Sequence, residues 1–359
     1  MKIVVACGGT GGHSFPGLAV AKELVARGHE VTVWTSGRDI EQSVMKSWDG
    51  PVFSTHARQL KPRYAFAILA SYLRCVQEMK RLRPAVVLAM GSYASLPPVM
   101  AARHYNIPVV MHEANTVPGK AVEFLSRYAK TVAISFEMTA KHLPHAKTVL
   151  TGLPIRKEIT EGERFAFIPA NSFTVFVTGG SQGAHAVNEL ASAALCMVFD
   201  ELKKRQELKR PLYIIHQTGV LDEAQVIARY AAKAIPSRVH AFEREMANAF
   251  KSADMVIARA GASTCFELAA CGKPAFFIPL PSAIRNHQHF NADAFASKGA
   301  ADEGRQGTLS VVALARYILR MYDNGEKLST MGEKMKSMAI TDADKKVADL
   351  VIQNATAQA

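Results

Sequence analysis

Gly8-Gly9-Thr10-Gly11-Gly12-His13 is the first place in this sequence where residue types and spacing suggest chemistry. Glycines let a backbone approach a ligand closely, and a helix starting behind them favours an anion or a polar oxygen. His13 closes the run, and an imidazole with its ordinary pKa of about 6.5 suits a general base. The same plan returns at Thr178-Gly179-Gly180-Ser181-Gln182-Gly183-Ala184, where amides and the Ser181 hydroxyl form a diphosphate cradle. One glycine turn is ordinary in an α/β fold; two, each opening a half of the chain, say much more.

Further polar groups follow at regular stations. Arg259-Ala260-Gly261-Ala262-Ser263-Thr264-Cys265-Phe266-Glu267 leads into a helix that Gly272 should stop. Ser263 or Thr264 would cap that helix. Glu267, one turn in, either accepts hydrogen bonds from ribose hydroxyls or completes a capping box with Thr264. Pro279-Leu280-Pro281 runs into Arg285-Asn286-His287-Gln288, amide and imidazole groups suited to sugar hydroxyls or, more plainly, to a polar helix start. Met90-Gly91-Ser92-Tyr93 and His112-Glu113-Ala114-Asn115 end apolar runs and should face a ligand cleft. His112 and Glu113 cannot share one metal ion, because neighbours on a strand point to opposite faces. Asp342-Ala343-Asp344 reads as helix-cap chemistry rather than a metal motif.

The elements that would hold these residues are short β-branched runs alternating with helical patterns. Strands are expected at 2–7, 31–36, 52–55, 85–90, 108–113, 131–135 and 147–150, then at 173–178, 212–216, 238–241, 255–258 and 274–279. A helix runs from Phe15 to Arg27. Continuously apolar strands separated by helices mean parallel sheets covered on both faces, so the fold class is α/β with two doubly wound, Rossmann-like domains. Their boundary falls in the charged, turn-rich stretch between Gly152 and Ser172, giving domains at 1–160 and 165–340, with ligands in a cleft between them. A dinucleotide-dependent oxidoreductase is disfavoured: the glycine spacing is not G-x-G-x-x-G, and Trp34-Thr35-Ser36 offers no acid for a ribose.

The chain of 359 residues is 49% hydrophobic with a formal charge of +12, which excludes a disordered polypeptide and calls for an acidic partner. Residues 1–156 carry 19 Lys and Arg against 9 Asp and Glu, whereas 157–359 are nearly balanced at 24 against 22. Arg58 to Arg83 alone holds seven basic residues and one acid, with Ile68, Leu69, Tyr72, Leu73 and Val76 at helical spacing. Such a helix either sits on anionic lipid or packs as an ordinary sheet helix. The five cysteines form no Cys-x-x-Cys pair, which fits a reducing compartment without zinc. No run is long and apolar enough for a membrane span, and the N-terminus reads as a first strand rather than a signal peptide.

Taken in order, these motifs resemble the MurG family over essentially the whole chain: the glycine loop ending in His13, Gly91-Ser92-Tyr93, His112-Glu113-Ala114-Asn115, Gly152-Leu153-Pro154-Ile155-Arg156, Gly179-Gly180-Ser181-Gln182-Gly183, Arg259 to Gly272, and His287-Gln288 with Asn291-Ala292. The resemblance implies a GT-B fold and an inverting transfer of N-acetylglucosamine from UDP-GlcNAc to the C4 hydroxyl of the undecaprenyl-linked muramyl-pentapeptide of peptidoglycan synthesis. It implies that uracil meets backbone near Glu243, that Glu267 binds ribose, and that Ser181, Thr264 and Arg156 lie near the diphosphate. By the same resemblance Gln288 binds the sugar, while Thr10, Gly11, Gly12 and Asn115 line the donor and acceptor cleft. Tyr93, Gln182, Gly183, Ala262, Ser263, Cys265, Phe266 and His287 belong to the same motifs and join the substrate-binding set. A last helix from about 342 to 359 returns to the first domain.

No tightly bound cofactor or metal is expected; a loosely held divalent cation is compatible with the diphosphate. The implied setting is peripheral, on the cytoplasmic face of the bacterial inner membrane, with residues 58–83 on anionic lipid, other cell-wall synthesis proteins nearby and no nucleic acid. Competing readings are another GT-B transferase with a different lipid or aglycone, and a non-catalytic basic protein that binds membrane or nucleic acid. The last leaves both glycine loops and Glu267 without a role.

Overall fold

The computed structural model describes residues 1–9, 11–38, 41, 44–59, 61–205 and 210–355. The chain divides into two compact units, Met1–Arg156 with Ile340–Ala359, and Lys157–Ala339. The first holds a seven-stranded sheet in the order β3-β2-β1-β4-β5-β6-β7. Its strands are β1 (Lys2–Ala6), β2 (Glu30–Thr35), β3 (Val52–Ser54), β4 (Val86–Ala89), β5 (Val109–Glu113), β6 (Thr131–Ile134) and β7 (Thr148–Leu150). Every pairing is parallel. Ile3, Val4, Val5 and Ala6 are all buried, as an interior parallel strand covered on both faces requires. On one face Val4 and Ala6 join Cys75, Met79 and Val99; on the other Ile3 and Val5 join Leu24 and, from the C-terminal helix Ala343–Asn354, Val347 and Val351. Arg27 ties that helix down through Asp349 at 2.5 Å.

The second unit holds six parallel strands in the order β10-β9-β8-β11-β12-β13. They are β8 (Phe173–Thr178), β9 (Leu212–Gln217), β10 (Ser237–His240), β11 (Met255–Ala258), β12 (Ala275–Phe277) and β13 (Ala301–Glu303). Phe173, Val175 and Val177 pack on Val187 and Leu195 of the helix His185–Lys203 and on Leu314 and Ile318 of Val311–Asp323. Strand β13 is absent from the strands expected above: its Ala-Asp-Glu sequence is polar and it pairs only with β12. The five cysteines are free thiols.

Each sheet has one point where the strand order reverses, between β1 and β4 in the first unit and between β8 and β11 in the second. Loops leaving neighbouring strands there run to opposite sides and open a crevice at the carboxyl edge, where ligands of such sheets bind.

Candidate functional site

In the first unit the two loops at the switch point are joined through His13. Gly9 has φ +123°, and a Cβ on Gly8 would lie 2.5 Å from the Ser36 amide, so the turn is built for glycine. The following helix spans Gly11–Ala26 rather than starting at Phe15. Gly8 and Gly9 lie in the turn, and Gly11, Gly12 and His13 form the first helical turn. Thr10 lies outside the described residues. His13 Nδ1 donates to the Met90 carbonyl at 2.9 Å, across the β1–β4 gap. A carbonyl only accepts, so the neutral ring carries its proton on Nδ1 and a lone pair on Nε2.

Glu41, a residue the motifs do not flag, fixes this loop from beneath. It is 2% exposed and accepts from the amides of Gly9 (2.5 Å), Gly37 (2.8 Å) and Arg38 (3.2 Å) and from the Ser36 hydroxyl. Arg38 Nη1 donates to the Gly9 carbonyl at 3.1 Å and to the Tyr93 hydroxyl oxygen at 3.4 Å. Ser92, at φ +64°, bonds the Gly8 carbonyl at 3.0 Å. The Gly91-Ser92-Tyr93 turn and the first glycine loop are therefore one assembly.

His112 and Glu113 end β5 and are both buried. Burial pushes the His112 imidazole down to about 4, so it is neutral at pH 7 and its Nε2 donates to the Gly152 carbonyl at 3.2 Å. Burial pushes the Glu113 carboxyl up to about 6, against amides of Asn115 (2.8 Å) and Gly119 (3.2 Å) and the Asn115 side chain (3.1 Å). Glu113 thus shapes the loop that presents Asn115. His112 holds the segment that presents Arg156, whose guanidinium stacks 5.1 Å over Phe15, two residues past His13.

In the second unit the glycine turn after β8 is locked against the end of β9. A Cβ on Gly183 would lie 2.0 Å from the Thr218 carbonyl oxygen, and one on Gly179 would lie 2.4 Å from the Ala184 amide. Gly180 instead has φ +88° with open space beside it, and Ser181 and Gln182 are exposed at the tip. Gln217, buried at the end of β9, couples two parts of the site. Its Nε2 donates to the Gly180 carbonyl at 2.7 Å, and its Oε1 accepts from the Glu243 amide at 3.1 Å. Burial alone would raise the Glu243 carboxyl, but Arg238, at 2.9 Å, and the Glu245 amide outweigh it and hold it low. That side chain is spoken for inside the protein. Replacing Gln217 with leucine should leave the buried Glu243 amide unpaired, costing about 1–3 kcal/mol, and leave the Gly180 carbonyl with the Gly183 amide as its remaining donor. Thermal unfolding should register the loss as a lower melting temperature.

The helix after β11 spans Ala262–Cys271. Its N-cap is Gly261, in extended conformation with no side-chain cap, so Ser263 and Thr264 do not cap it. They lie inside the first turn, because Gly261 already supplies the non-helical residue there, and Thr264 cannot form a capping box with Glu267. The amides of Ala262, Ser263 and Thr264 precede the first helical bond, from Cys265 to the Gly261 carbonyl at 3.0 Å. Cys265 and Phe266 are buried, the latter against Phe295. Their side chains serve the core. Gly272, at φ +61°, ends the helix.

Arg259 is a strut: 7% exposed, it donates to the carbonyls of Ile278 (2.8 Å) and Pro279 (3.0 Å) and to Gln306 (2.6 Å). Gln288 accepts from the Leu280 amide at 3.0 Å, and His287 Nδ1 donates to the Ile284 carbonyl at 2.8 Å. Both hold the loop that opens the helix His287–Ala296. At the C-terminal helix, Asp342 occupies the N-cap position but pairs with Lys346 at 3.0 Å instead of capping. Among the described residues no group of three His, Cys, Asp or Glu side chains could hold a metal ion.

Residues 3–134 match the model of the glycosyltransferase family 28 N-terminal domain, and residues 174–347 match that of the family's C-terminal domain. The chain is 37% identical to the UDP-N-acetylglucosamine–N-acetylmuramyl-(pentapeptide) pyrophosphoryl-undecaprenol N-acetylglucosamine transferase of Trichlorobacter lovleyi, covering 98% of each chain. It is 35% identical to the protein of the same name from Geobacter metallireducens, over 97% of each. The crystal structure of Acinetobacter baumannii MurG superposes with a TM-score of 0.78 at 33% identity, covering 98% of this chain and 99% of that one.

Proposed function

Because this chain belongs to the MurG family, within glycosyltransferase family 28, we propose that it transfers N-acetylglucosamine from UDP-GlcNAc to the C4 hydroxyl of a lipid-linked muramyl-pentapeptide. It is a glycosyltransferase of GT-B architecture. One observation supports the donor half of this reading above the others. At the β8–β11 switch point, the Gly180–Gln182 tip lies beside a helix whose first amides no side chain caps. Those amides and the helix dipole suit a diphosphate, and they suit it better as charge grows on the leaving UDP.

The chemistry is a single displacement. The acceptor oxygen forms a bond to C1 of the sugar, the bond from C1 to the UDP oxygen breaks, and the configuration at C1 inverts. The hydroxyl proton passes to Nε2 of His13, whose tautomer the Met90 carbonyl sets. Glu267, near the start of the second unit's helix, takes the ribose, and Gln288 the sugar. No resident cofactor is needed; a divalent cation, if one takes part, arrives with the diphosphate as part of the substrate. The test is UDP release from UDP-GlcNAc with a short-chain muramyl-pentapeptide lipid. Release with that acceptor supports the reading, and release only with a different aglycone would redirect it to another transferase.

The lipid acceptor places a further demand on the first unit. No helix among the described residues is long and apolar enough to cross a membrane. The helix Ala65–Leu82 splits the apolar stripe expected above into two faces. Tyr72 and Val76 pack inward with the buried Cys75 and Met79, whereas Phe66, Leu69 and Leu73 are 90%, 53% and 51% exposed. Exposed apolar groups at i, i+3 and i+7 amid basic residues suit an anionic bilayer surface. Arg63→Glu should weaken binding to anionic vesicles roughly fivefold or more, at about 1 kcal/mol for each basic residue. Phe66→Asp should act in the same direction, and UDP-GlcNAc affinity should stay unchanged in both. Vesicle binding that ignores both substitutions would remove this face from the proposal.

A further inference from the structure

A small cavity beside the His13 loop is not accounted for by any step above. Arg38, His56, Arg58, Tyr64 and Tyr93 line it, and it encloses about 260 Å³. At about 30 Å³ per water molecule this holds several waters, or one compact anionic group. It lies past the carboxyl ends of β2, β3 and β4, at the same edge of the sheet as His13. Arg38 connects the two, through the Gly9 carbonyl at 3.1 Å and the Tyr93 hydroxyl at 3.4 Å.

The walls are fixed rather than loose. Gly37 has φ +80°, and a Cβ there would lie 2.4 Å from Ser54 Oγ. His56 is held at φ +54°, with Ser54 Oγ 3.3 Å from its Nδ1, and the buried Thr55 between them bonds the Thr35 carbonyl at 2.8 Å. A non-glycine residue kept in the left-handed region next to a glycine-only position costs stability that a plain surface loop has no reason to carry.

Charge gives the ligand class. Among the described residues the cavity is lined by two guanidiniums, an imidazole and two phenols, with no carboxylate. Among the described residues of this loop the acid is Glu41, which is 2% exposed and already accepts from Gly9, Gly37, Arg38 and Ser36. It does not neutralise the cavity. Paired guanidinium forks and phenolic hydroxyls match the geometry of a phosphate or carboxylate.

Resting on the proposed function, the geometry points to an oxyanion subsite for the acceptor, with Arg58 and Arg38 gripping either its diphosphate or a carboxylate of its peptide. Arg58 is then a substrate contact rather than part of the lipid-facing charge. The experiment measures UDP release by the full chain in detergent, with a short-chain acceptor, an acceptor amidated at the peptide C-terminus, and inorganic pyrophosphate as competitor. Arg58→Gln should raise the acceptor KM roughly 10- to 100-fold, the loss expected for a charged hydrogen bond. Arg38→Gln should do the same, with UDP-GlcNAc affinity unchanged in each.

If amidation costs the wild type as much as Arg58→Gln does and costs the variant nothing more, the anion is the carboxylate. If pyrophosphate competes with the acceptor in the wild type and not in the variant, it is the diphosphate. An unaltered acceptor KM in both variants overturns the proposal, as does an effect of Arg58→Gln confined to vesicle binding. Failure of the wild type to release UDP with any muramyl acceptor would refute the proposed function instead. Direct titration of wild type and Arg58→Gln with pyrophosphate and with acetate would then decide the cavity alone: binding lost in the variant supports it, and no difference refutes it.

Discussion

Replacing His13 with alanine is expected to lower kcat roughly 10²–10⁴-fold, the range for losing a positioned general base, while UDP-GlcNAc binds as tightly as before. The asymmetry follows from where the groups reside. His13 belongs to the first unit, whereas, Arg156 apart, the amides and side chains assigned to the donor's diphosphate, ribose and sugar belong to the second. Its Nδ1 is committed to the Met90 carbonyl at 2.9 Å, so the ring can take up a proton only at Nε2. Alanine removes both the lone pair and the tether to Met90, and one further variant separates them. Asparagine at position 13 keeps a donor for Met90 but has no basic nitrogen. If His13→Asn recovers most of the turnover lost in His13→Ala, the residue positions the loop and does not take the proton. Near-normal turnover in His13→Ala would remove it from the chemistry altogether.

The stations of the site were readable because they are local. A strand, a glycine pair and a helix start are contiguous at Lys2 to Ala26 and again at Phe173 to Lys203. What holds those stations together was not readable, because it links segments far apart in the chain. Glu41 looks like one more loop acid in the sequence, yet it anchors Gly9, 32 residues away. Gln217 bridges Gly180 and Glu243, at separations of 37 and 26 residues. Neither has a motif of its own, since its partners are backbone groups, which leave no signature in residue type. The one local signal Gln217 carries is its place as a polar residue closing the strand Leu212–Gln217.

Some local readings also failed, for identifiable reasons. Ser263 and Thr264 have strong intrinsic preference for a cap, but Gly261 is already extended and occupies that position one step earlier. The helix after β1 begins inside the glycine run, at Gly11, because Gly9, at φ +123°, already turns the chain two residues earlier. Helical spacing alone places Ile68, Leu69, Tyr72, Leu73 and Val76 on one stripe. The helix buries only part of it and turns Leu69 and Leu73 outward with Phe66. In each case composition was right and angle was wrong, and angle is fixed by the neighbouring element.

Gly183→Ala is expected to have the largest effect in the second unit, destabilising it by roughly 2–5 kcal/mol through left-handed strain and overpacking together. The added methyl would stand 2.0 Å from the Thr218 carbonyl oxygen, 2.6 Å from its carbon and 2.8 Å from Gly219 Cα, all backbone. No rotamer change can relieve that, so the turn must part from the end of β9. Gly180, which Gln217 bonds to the same turn, would move with it, and UDP-GlcNAc binding should be lost alongside the drop in melting temperature. Gly180→Ala supplies the contrast: φ is +88° there, yet the methyl meets open space. Only the strain remains, about 1–2 kcal/mol, and the unit should stay folded. If the donor diphosphate lies against the Gly180–Gln182 tip, Gly180→Ala should still weaken UDP-GlcNAc binding in a protein that melts nearly as the wild type does. Wild-type affinity in Gly180→Ala would move the diphosphate off this tip and onto the amides at the start of the Ala262–Cys271 helix.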